Sequence, residues 1–576
     1  MLLHIRAYRQ RADLTSKGVS RMGVQKKRPA SAASRTRTLD PITQTVIRHR
    51  LTSISAEMGE AMLRTSYSQI LNSSRDFSVA VCDDQCRLIA QADHIPVHVG
   101  ALPWALKSAK ETFPDPQKGD VILLNDPYYG GSHLPDVTAL IPVFHSGRRL
   151  LWTIVRAHQS DIGGATHGAY NPTATEIWQE GLRIPPILLY ERGRLREDIL
   201  EMLAINVRHA RDFRGDLAAM VGAAHLGERG LERLCDEFGA SLVTEAISAV
   251  LDASESRARA IVESWADGVY TGEALLDDDG RGREDIAIRA KVTKRGGEIE
   301  VDLSASDPQT TSFVNSSHAN MQSAVAMAFA FLLDADIPKN AGTFRPLSVV
   351  AKPGTLVWAK ENAPVTLCTS HPSNEIIEAI VKAMAPACPE RVMGGWGRRF
   401  RLAIKGQDAR RDRSFIWHMF HARPGGGASA GGEGWSSIGE WHSAGGIKFG
   451  SIEVDEARFP LLFRKHEFRL GSGGAGRFRG GMGVDLELIV EAKALINTAG
   501  DGARHGAAGM LGGGDGLPHS YRLIRTDGSS RMLKTKEVGI EVGPGDLIDV
   551  RSGGGGGWGK PPRSGSHPSS AKQASP

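Results

Sequence analysis

The chain has 576 residues, which is more than one hydrophobic core normally supports, so two or three domains are expected. Its 41% hydrophobic and 23% charged residues are ordinary for a soluble globular protein. The net charge of +5 is unevenly distributed: residues 1–37 hold ten Lys/Arg and one Asp, a local +9, which leaves −4 for the remainder. A mildly acidic body excludes a broad nucleic-acid-binding surface.

The basic segment 1–37 is predicted to be a disordered, solvated tail. It has no apolar stretch of the kind that a secretory signal needs, although its Arg/Ser-rich composition also fits a transit peptide, and a start site at Met22 is a third interpretation. Five scattered cysteines favour a reducing compartment, and no apolar run is long enough to cross a bilayer. We therefore expect a cytoplasmic protein without a membrane segment.

Folded structure is predicted to begin at Asp40, because Asp is a good helix cap and Pro41 suits a first helical turn. Apolar residues then recur at helical spacing, namely Ile47, Leu51, Ile54, Met58 and Met62. Short strand-like runs follow at 77–81, 87–90 and 121–124. Residues 138–144 and 150–155 are predicted to form a hairpin, since the His-Ser-Gly-Arg between them is a turn signal.

Beyond residue 195 the sequence pattern changes from helical spacing to strand-like alternation and then to glycine-rich loops. Residues 195–265 have helical spacing, and 285–303 alternate like strands. Two small apolar helices are predicted at 323–333 and 374–384, and glycine-rich loops with short strands follow residue 390. The predicted fold class is α+β and multi-domain, with mixed and antiparallel sheets, helical segments and a glycine-rich β C-terminal part. The predicted regions are a disordered tail (1–37), an N-terminal α+β region with the site (38–270), an α/β middle region (271–390), the glycine-rich β region (391–562) and a disordered tail (563–576).

Two polar clusters flank the predicted hairpin. Residues 125–136 read Asn-Asp-Pro-Tyr-Tyr-Gly-Gly-Ser-His-Leu-Pro-Asp, and residues 156–164 read Arg-Ala-His-Gln-Ser-Asp-Ile-Gly-Gly. Counting outward from a turn centred between Ser146 and Gly147 places His158 opposite Pro135, about 5 Å away. His158 would then lie beside His133 and Asp136, and Asp161 would face Ser132.

His133, Asp136 and His158 are therefore candidate ligands of one metal ion. Two imidazoles and a carboxylate leave open coordination positions and suit Zn, Mn or Fe better than Mg. Such a divalent ion would polarise a carbonyl or lower the pKa of a water. Asp126 or Asp161 would orient a ligand or act as a general base. In the alternative interpretation both histidines bind backbone groups in an ordinary turn; the hairpin count favours the metal.

Two weaker signals precede this cluster. Arg75 and Asp76 precede a strand, where a surface ion pair is the commoner arrangement. His94 and His98 have strand-like spacing and would share one strand face. They would extend the site or pack, and packing is favoured.

The glycine runs carry little sign of nucleotide binding. Residues 473–481 are compatible with anion binding through backbone amides or with a tight structural turn. Residues 554–560 match G-x4-G-K, but Pro561 replaces the Ser/Thr of a P-loop and no apolar helix follows. A P-loop is therefore rejected.

Taken together, these motifs resemble the hydantoinase B/oxoprolinase family over roughly residues 38–562. The motifs, in chain order, are Asp40-Pro41-Ile42, Arg75-Asp76-Phe77-Ser78, His94-Ile95-Pro96-Val97-His98, Asn125-Asp126-Pro127-Tyr128, His133-Leu134-Pro135-Asp136, Arg156-Ala157-His158, Glu180-Gly181-Leu182, Asn340-Ala341-Gly342, the 473–483 glycine run and the terminal Gly-Gly-Gly-Trp-Gly. Gly471 departs from the family pattern, and Trp396–Trp441 match it poorly, so no substrate contacts are assigned in the C-terminal half.

The resemblance implies an ATP-dependent enzyme that opens a cyclic amide, either a hydantoin or 5-oxoproline. It also implies that ATP is used by an A-type partner subunit in a hetero-oligomer. In the related acetone carboxylases the metal ligands correspond to His133, Asp136 and His158, in agreement with the hairpin count. Two alternatives remain: a subunit of an ATP-dependent ketone carboxylase, and a non-catalytic scaffold for the A-type subunit.

Overall fold

The computed structural model describes residues 39–562, so both predicted tails lie outside the described residues. Its helices are α1 (Pro41–Thr65), α2 (Gln69–Asn72), α3 (Pro96–Val99), α4 (Leu102–Thr112), α5 (Glu197–Ile205), α6 (Ala210–Phe238), α7 (Ala240–Glu263), α8 (His318–Leu332), α9 (Pro372–Met384) and α10 (Ile452–Arg458). None of these helices is both long and apolar enough to cross a bilayer.

The strands fall into four sheets. Those of the first half are β1 (Phe77–Asp83), β2 (Leu88–Asp93), β3 (Val121–Leu124), β4 (Asp136–His145), β5 (Arg148–His158), β6 (Ile187–Glu191), β7 (Arg194–Leu195), β8 (Gly268–Asp278), β9 (Glu284–Arg295), β10 (Glu298–Asp302) and β11 (Leu347–Val350). Those of the second half are β12 (Phe400–Asp408), β13 (Arg413–His418), β14 (Leu461–Phe468), β15 (Val484–Val490), β16 (Ala494–Gly500), β17 (Ser520–Ile524), β18 (Ser530–Met532), β19 (Ile540–Val542) and β20 (Leu547–Arg551).

The predicted start of the fold is confirmed. The Asp40 carboxylate accepts a hydrogen bond from the Thr43 amide at 3.0 Å, and Pro41 opens helix α1. The five residues of the predicted apolar stripe are all buried. This stripe packs on the first sheet, where each fully buried aliphatic side chain stabilises the fold by about 1.5–3 kcal/mol.

The first sheet is antiparallel, with strand order β2-β1-β5-β4-β3-β6-β7. Helices α1 and α6 cover one face, and α4 covers the other. Alternation along β5 distributes its side chains between the two faces: Val155 joins the core beneath α1, and Ile154 joins the core beneath α4. Asp136 begins β4 and His158 ends β5, so the candidate site lies at one end of this sheet.

The middle of the chain follows the predicted elements closely. The segment 195–265 forms α5, α6 and α7, and the alternating segment 285–303 forms β9 and β10. A mixed sheet of order β11-β10-β9-β8 carries α9, which is buried along almost its whole length. One continuous apolar core joins this sheet to the first one, and the proposed boundaries at 270 and 390 stay predictions.

The C-terminal part contains two antiparallel sheets, β13-β12-β16-β19 and β14-β15-β20-β17-β18, around a second apolar core. Beside them lies a set of extended glycine segments that we call the glycine-rich bundle, composed of residues 394–397, 425–428, 473–483, 507–516 and 553–559. Its backbones hydrogen-bond to one another outside the named strands. The α+β, multi-domain fold class is thus confirmed.

Backbone contact explains the glycines of this bundle. A Cβ on Gly427 would lie 1.7 Å from the Gly394 carbonyl oxygen, and one on Gly555 would lie 1.9 Å from that of Gly426. Every amide from 553 to 559 donates to a partner in another segment, as do several in 473–481. Amides that are already bonded cannot cradle a phosphate, so the rejection of a P-loop stands, and the structural interpretation of 473–481 is favoured over anion binding.

We predict that Gly555→Ala lowers the unfolding free energy by about 3 kcal/mol or more, because no rotation of a methyl group can avoid a neighbouring backbone. The matched control is Gly222→Ala in helix α6, where an added Cβ meets nothing within 4 Å. That change should stabilise by about 0.5–1 kcal/mol through helix propensity. Urea denaturation of both variants measures the difference, and equal midpoints would contradict this account of the bundle.

Candidate metal centre

The hairpin of β4 and β5 brings the ends of the two polar clusters together. Ser146 and Gly147 have φ of 50° and 75°, which is the backbone of a two-residue hairpin turn, and His145 pairs with Arg148 as predicted. A β-bulge then shifts the register. His158 therefore pairs with Asp136, and the predicted pairing with Pro135 was wrong by one residue.

The source of the shift is Leu150, an extra residue on β5 where Val143 pairs with Leu151 and Phe144 with Arg149. Because directly paired residues point to the same face of a sheet, Asp136 and His158 project together.

Three side chains converge at this position. His133 Nε2 lies 2.8 Å from Asp136 Oδ1, and His158 Nδ1 lies 3.1 Å from the same oxygen. One ligand atom from each residue lies within 4.8 Å of the others, and all three residues are buried. The two imidazole rings are 5.0 Å apart between centroids. The convergence that was predicted from the hairpin is therefore present in the fold.

The loop that carries His133 is fixed by Asn125. Its amide nitrogen donates to the carbonyls of Leu134 and Leu182, and its amide oxygen accepts from the Ile184 amide. Gly131 crosses so close to Asn125 that a Cβ there would lie 2.3 Å from the Asn125 carbonyl oxygen. A glycine is needed at this crossing, and the loop consequently delivers His133 to the start of β4.

The donor atoms fit a divalent cation. His133 Nδ1 hydrogen-bonds to the Thr366 carbonyl, which can only accept, so Nδ1 carries the proton and Nε2 presents a lone pair. Nε2 is nevertheless buried without a hydrogen-bond partner, despite its proximity to Asp136. Burial raises the pKa of Asp136, but the neighbouring imidazoles of His133, His98 and His158 outweigh it and hold that pKa well below its usual range. The buried carboxylate and the two imidazoles together form a set of ligand atoms that a divalent cation could bind.

His98 also belongs to this centre, contrary to the preference for simple packing. Its Nε2 lies 3.3 Å from Asp136 Oδ2, and Ser132 Oγ donates to the same oxygen at 2.5 Å. The predicted strand across His94 and His98 was wrong, because Pro96 begins helix α3 and turns His98 inward. His94 packs on Phe77, with ring centroids 4.5 Å apart.

Asp76 is buried rather than part of a surface ion pair. Its Oδ1 lies 3.7 Å from His98 Nε2, and its backbone carbonyl accepts the His158 amide at 3.0 Å. Arg75 adopts a left-handed φ of 59° immediately before it. The expectation of an exposed Arg75–Asp76 pair was therefore wrong: the turn at Arg75 places Asp76 next to the centre.

The two candidate catalytic carboxylates are held by arginines. Asp126 accepts from the Tyr128 amide and pairs with Arg183 at 2.9 Å. Asp161 pairs with Arg208 at 2.8 Å and also accepts the Arg208 amide, instead of facing Ser132 as predicted. Each carboxylate anchors one of the two polar clusters, and their catalytic roles stay predictions.

Contacts outside the three candidate ligands, which sequence reasoning missed, hold His133 in place. Glu180 is buried, and its two carboxyl oxygens accept the amides of Val365 and Thr366 at 2.8 and 2.9 Å. The Thr366 carbonyl in turn binds His133. Burial raises the pKa of Glu180 to about 8. The Glu180-Gly181-Leu182 motif was a visible signal, but its partner at 365–366 is remote in sequence.

The C-terminal half contributes to a small cavity beside His158. Its lining residues come from both halves of the chain and are Ile70, Asp76, Ile95, His98, His158, Tyr170, Thr369, Arg399, Phe420 and His442. Three of them lie in or just beyond the stretch 396–441, which the sequence left unassigned. A much larger cavity, about 1490 Å³, lies between α4, α7 and α8, and none of the three candidate ligands lines it.

Comparisons with known proteins agree with this architecture. The hydantoinase B/oxoprolinase family model matches residues 40–561. The chain is 37% identical to the caprolactamase subunit beta of Pseudomonas jessenii over 91% of its own length and 92% of the relative's. It is 27% identical to the 5-oxoprolinase of Saccharomyces cerevisiae over 91% of its own length, but only 42% of that longer protein.

Solved structures show the same fold. The ATP-dependent caprolactamase of Pseudomonas jessenii superposes with a TM-score of 0.86 at 35% identity, covering 92% of this chain and 93% of the other. A nucleotide-free acetone carboxylase superposes with a TM-score of 0.82 at 18% identity, covering 91% and 77%, a likeness of fold alone. By its motifs, its fold and the extent of the match, the chain belongs to the hydantoinase B/oxoprolinase family.

Proposed function

We propose that this chain is the B-type subunit of an ATP-dependent hydrolase that opens a cyclic amide at a divalent metal held by His133, Asp136 and His158. The convergence of these three buried side chains is the observation that carries the proposal. The similarity to a caprolactamase subunit and to a 5-oxoprolinase supports cyclic-amide chemistry rather than ketone carboxylation, because the carboxylase likeness is one of fold only.

When bound, a Zn, Mn or Fe ion would supply Lewis-acid chemistry at an amide carbonyl. The protein's contribution is to hold the donors in place before substrate arrives. Thr366 fixes the tautomer of His133, and Ser132 and His98 orient the second oxygen of Asp136. Pre-oriented donors need little reorganisation when a charged transition state forms.

ATP is proposed to act on a partner chain of the A type. The amides of 553–559 and several of those in 473–481, the two runs with some likeness to a phosphate loop, already donate hydrogen bonds within the fold. The 5-oxoprolinase is more than twice as long as the region matched here, and the caprolactamase relative is described as a beta subunit. Both facts support a hetero-oligomer in which the partner activates the amide and this chain opens the ring.

We predict that His158→Ala removes the metal and abolishes ring opening while the chain stays folded. The variant loses one ligand of three, so metal affinity should fall by more than the roughly 10- to 100-fold typical of an outer-shell partner. The His158 amide still bonds to the Asp76 carbonyl, which preserves the strand end. Elemental analysis of the purified complex and circular dichroism are the measurements.

His94→Ala serves as the control and should keep its metal, because His94 packs on Phe77. His133→Ala and Asp136→Ala should resemble His158→Ala, and the double variants should be no worse, since all three residues serve one ion. If the His158→Ala complex still contained stoichiometric metal, the assignment of His158 as a metal ligand would be wrong.

We predict that Glu180→Ala weakens metal binding by about 10- to 100-fold, because the Val365–Thr366 segment that holds His133 loses its acceptor. Glu180→Gln should have an intermediate effect, because its single amide oxygen can accept only one of the two backbone N–H groups. Competition with a chromophoric chelator measures the affinity. Equal affinities for Glu180→Ala and wild type would mean that Glu180 has no influence on the centre.

We predict that the isolated chain neither hydrolyses ATP nor opens a ring, and that both activities require the A-type partner. The test supplies the complex with ATP and, in separate assays, a lactam, 5-oxoproline, a hydantoin, and acetone with bicarbonate. Ring-opened product from an amide is the expected result. Product from acetone and bicarbonate alone would favour the carboxylase, and full amide hydrolysis by a metal-free complex would favour the scaffold.

A further inference from the structure

We propose that Arg156 and Ser323 are positioning residues of the candidate metal centre, and that they act by holding helix α3 so that His98 meets the carboxylate of Asp136. The inference rests on the proposed function, because it takes Asp136 to be a metal ligand. Neither residue is itself a candidate ligand: Arg156 lies on β5, and Ser323 lies on α8 in the middle of the chain.

His98 is the side chain of helix α3 that reaches the centre. Its Nε2 lies 3.3 Å from Asp136 Oδ2 and 3.7 Å from Asp76 Oδ1, whereas its Nδ1 is buried without a hydrogen-bond partner. An ionised carboxylate can only accept, so Nε2 carries the proton and donates toward Asp136. With Oδ2 engaged in this way, Oδ1 is left facing His133 and His158. His98 therefore sets the rotation of the carboxylate that the cation would bind.

Helix α3 cannot hold this position by itself. It has only four residues, and no side chain caps its N-terminus. A single helical turn is unstable alone, because nucleation costs more than its few hydrogen bonds return. Packing is also interrupted on one side, where Pro96, Val99 and Gly100 line the large cavity of about 1490 Å³. Contacts from neighbouring elements are therefore needed to fix α3.

Ser323 supplies one of these contacts from helix α8. Its Oγ donates to the Val97 carbonyl at 2.6 Å, and a Cβ on Gly100 would lie 2.4 Å from the same oxygen. A serine inside a helix commonly bonds back to its own helix, as Ser55 does to the Leu51 carbonyl at 3.2 Å. The Ser323 hydroxyl instead crosses to α3, so it joins the two helices.

Arg156 holds the end of α3 that carries the imidazole. It is fully buried on β5, on the same face as His158, and it pairs with Thr138 beside the Asp136–His158 pair. Its Nε donates to Thr138 Oγ1 at 2.8 Å, and its Nη1 donates to the His98 carbonyl at 3.3 Å. The guanidinium is always charged, and charge-assisted hydrogen bonds are stronger than neutral ones. The arginine thus ties the helix of His98 to the sheet of Asp136.

These two contacts decide where the imidazole lies. Ser78 Oγ donates to the Ile95 carbonyl at 2.9 Å and fixes the residue before the helix, at the end away from the Arg156 contact. Without Ser323 or Arg156 the rest of α3 is free to move toward the cavity, and the bond to Asp136 Oδ2 lengthens. The carboxylate can then rotate, so the affinity for metal should fall although no ligand has been changed.

The experiment measures the metal affinity of the purified complex by competition with a chromophoric chelator. Ser323→Ala should bind metal about 2- to 10-fold more weakly, which is the value of one hydrogen bond. Arg156→Met should bind it about tenfold or more weakly, and Arg156→Lys should recover part of the loss because it keeps a charged donor. Ser55→Ala is the matched control, since it also removes a fully buried helix hydroxyl, and it should bind metal like wild type.

A double-mutant cycle separates positioning from a general loss of stability. His98→Ala should itself weaken metal binding by about 10- to 100-fold, as expected for an outer partner of a ligand. In that background Ser323→Ala and Arg156→Met should cost nothing further, because residues that act through one side chain do not have additive effects. The visible spectrum of the cobalt-loaded complex is a second readout, and it should change in Ser323→Ala but not in Ser55→Ala.

Wild-type affinity in both Ser323→Ala and Arg156→Met, or equal losses with and without His98, would overturn the proposal. If Arg156→Met does not fold, Ser323→Ala and its cycle with His98→Ala decide the matter. Affinity needs no turnover, so a complex that shows the expected losses but opens no ring would refute the proposed hydrolase and leave the positioning role intact. Ring opening with unchanged affinity in the variants would refute the positioning role alone.

Discussion

The burial of one carboxylate, that of Asp136, organises the centre of this protein. A carboxylate without contact to water must be surrounded by polar groups, and the structure supplies four of them: His133, His158, His98 and Ser132. They come from three local elements: the glycine-crossed loop before β4 carries Ser132 and His133, the end of β5 carries His158, and the short proline-started helix α3 carries His98. The folding of these elements is coupled, because none of them satisfies the acid alone.

The C-terminal half contacts the N-terminal half directly beside this centre. His418 Nε2 lies 3.3 Å from the Ser160 carbonyl oxygen, and the Lys448 amide donates to the Ser74 carbonyl at 3.0 Å. That close approach brings Arg399, Phe420 and His442 to the cavity beside His158. The cavity beside the candidate ligands is thus lined by residues from both halves of the chain.

Much of the local structure could be predicted from the sequence, since it depends on local signals. The Asp40 cap, the stripe of helix α1, the turn at Ser146 and Gly147 and the convergence of His133, Asp136 and His158 all follow from spacing over a few residues. The placement of His98 could not, because Pro96 also fits an extended segment. The positions of Thr366 and Arg399 could not be predicted for a different reason. Their contacts are with residues more than 180 positions away, and no local sequence pattern indicates such a contact.

The bulge at Leu150 has a consequence for how this hairpin can vary among related chains. The bulge sits between the turn and the metal-side ends of the strands, and it shifts the partner of His158 from Pro135 to Asp136. Insertions at the turn change only how far the hairpin protrudes, provided that the pairing beyond the bulge is kept. A deletion of Leu150 itself would only make the ladder regular, whereas removal of one residue between Leu151 and His158 would place His158 opposite Val137, toward helices α1 and α6, while Asp136 stayed on the opposite face. Length variation in this family should therefore be tolerated at the tip of the hairpin and strictly limited between the bulge and the site.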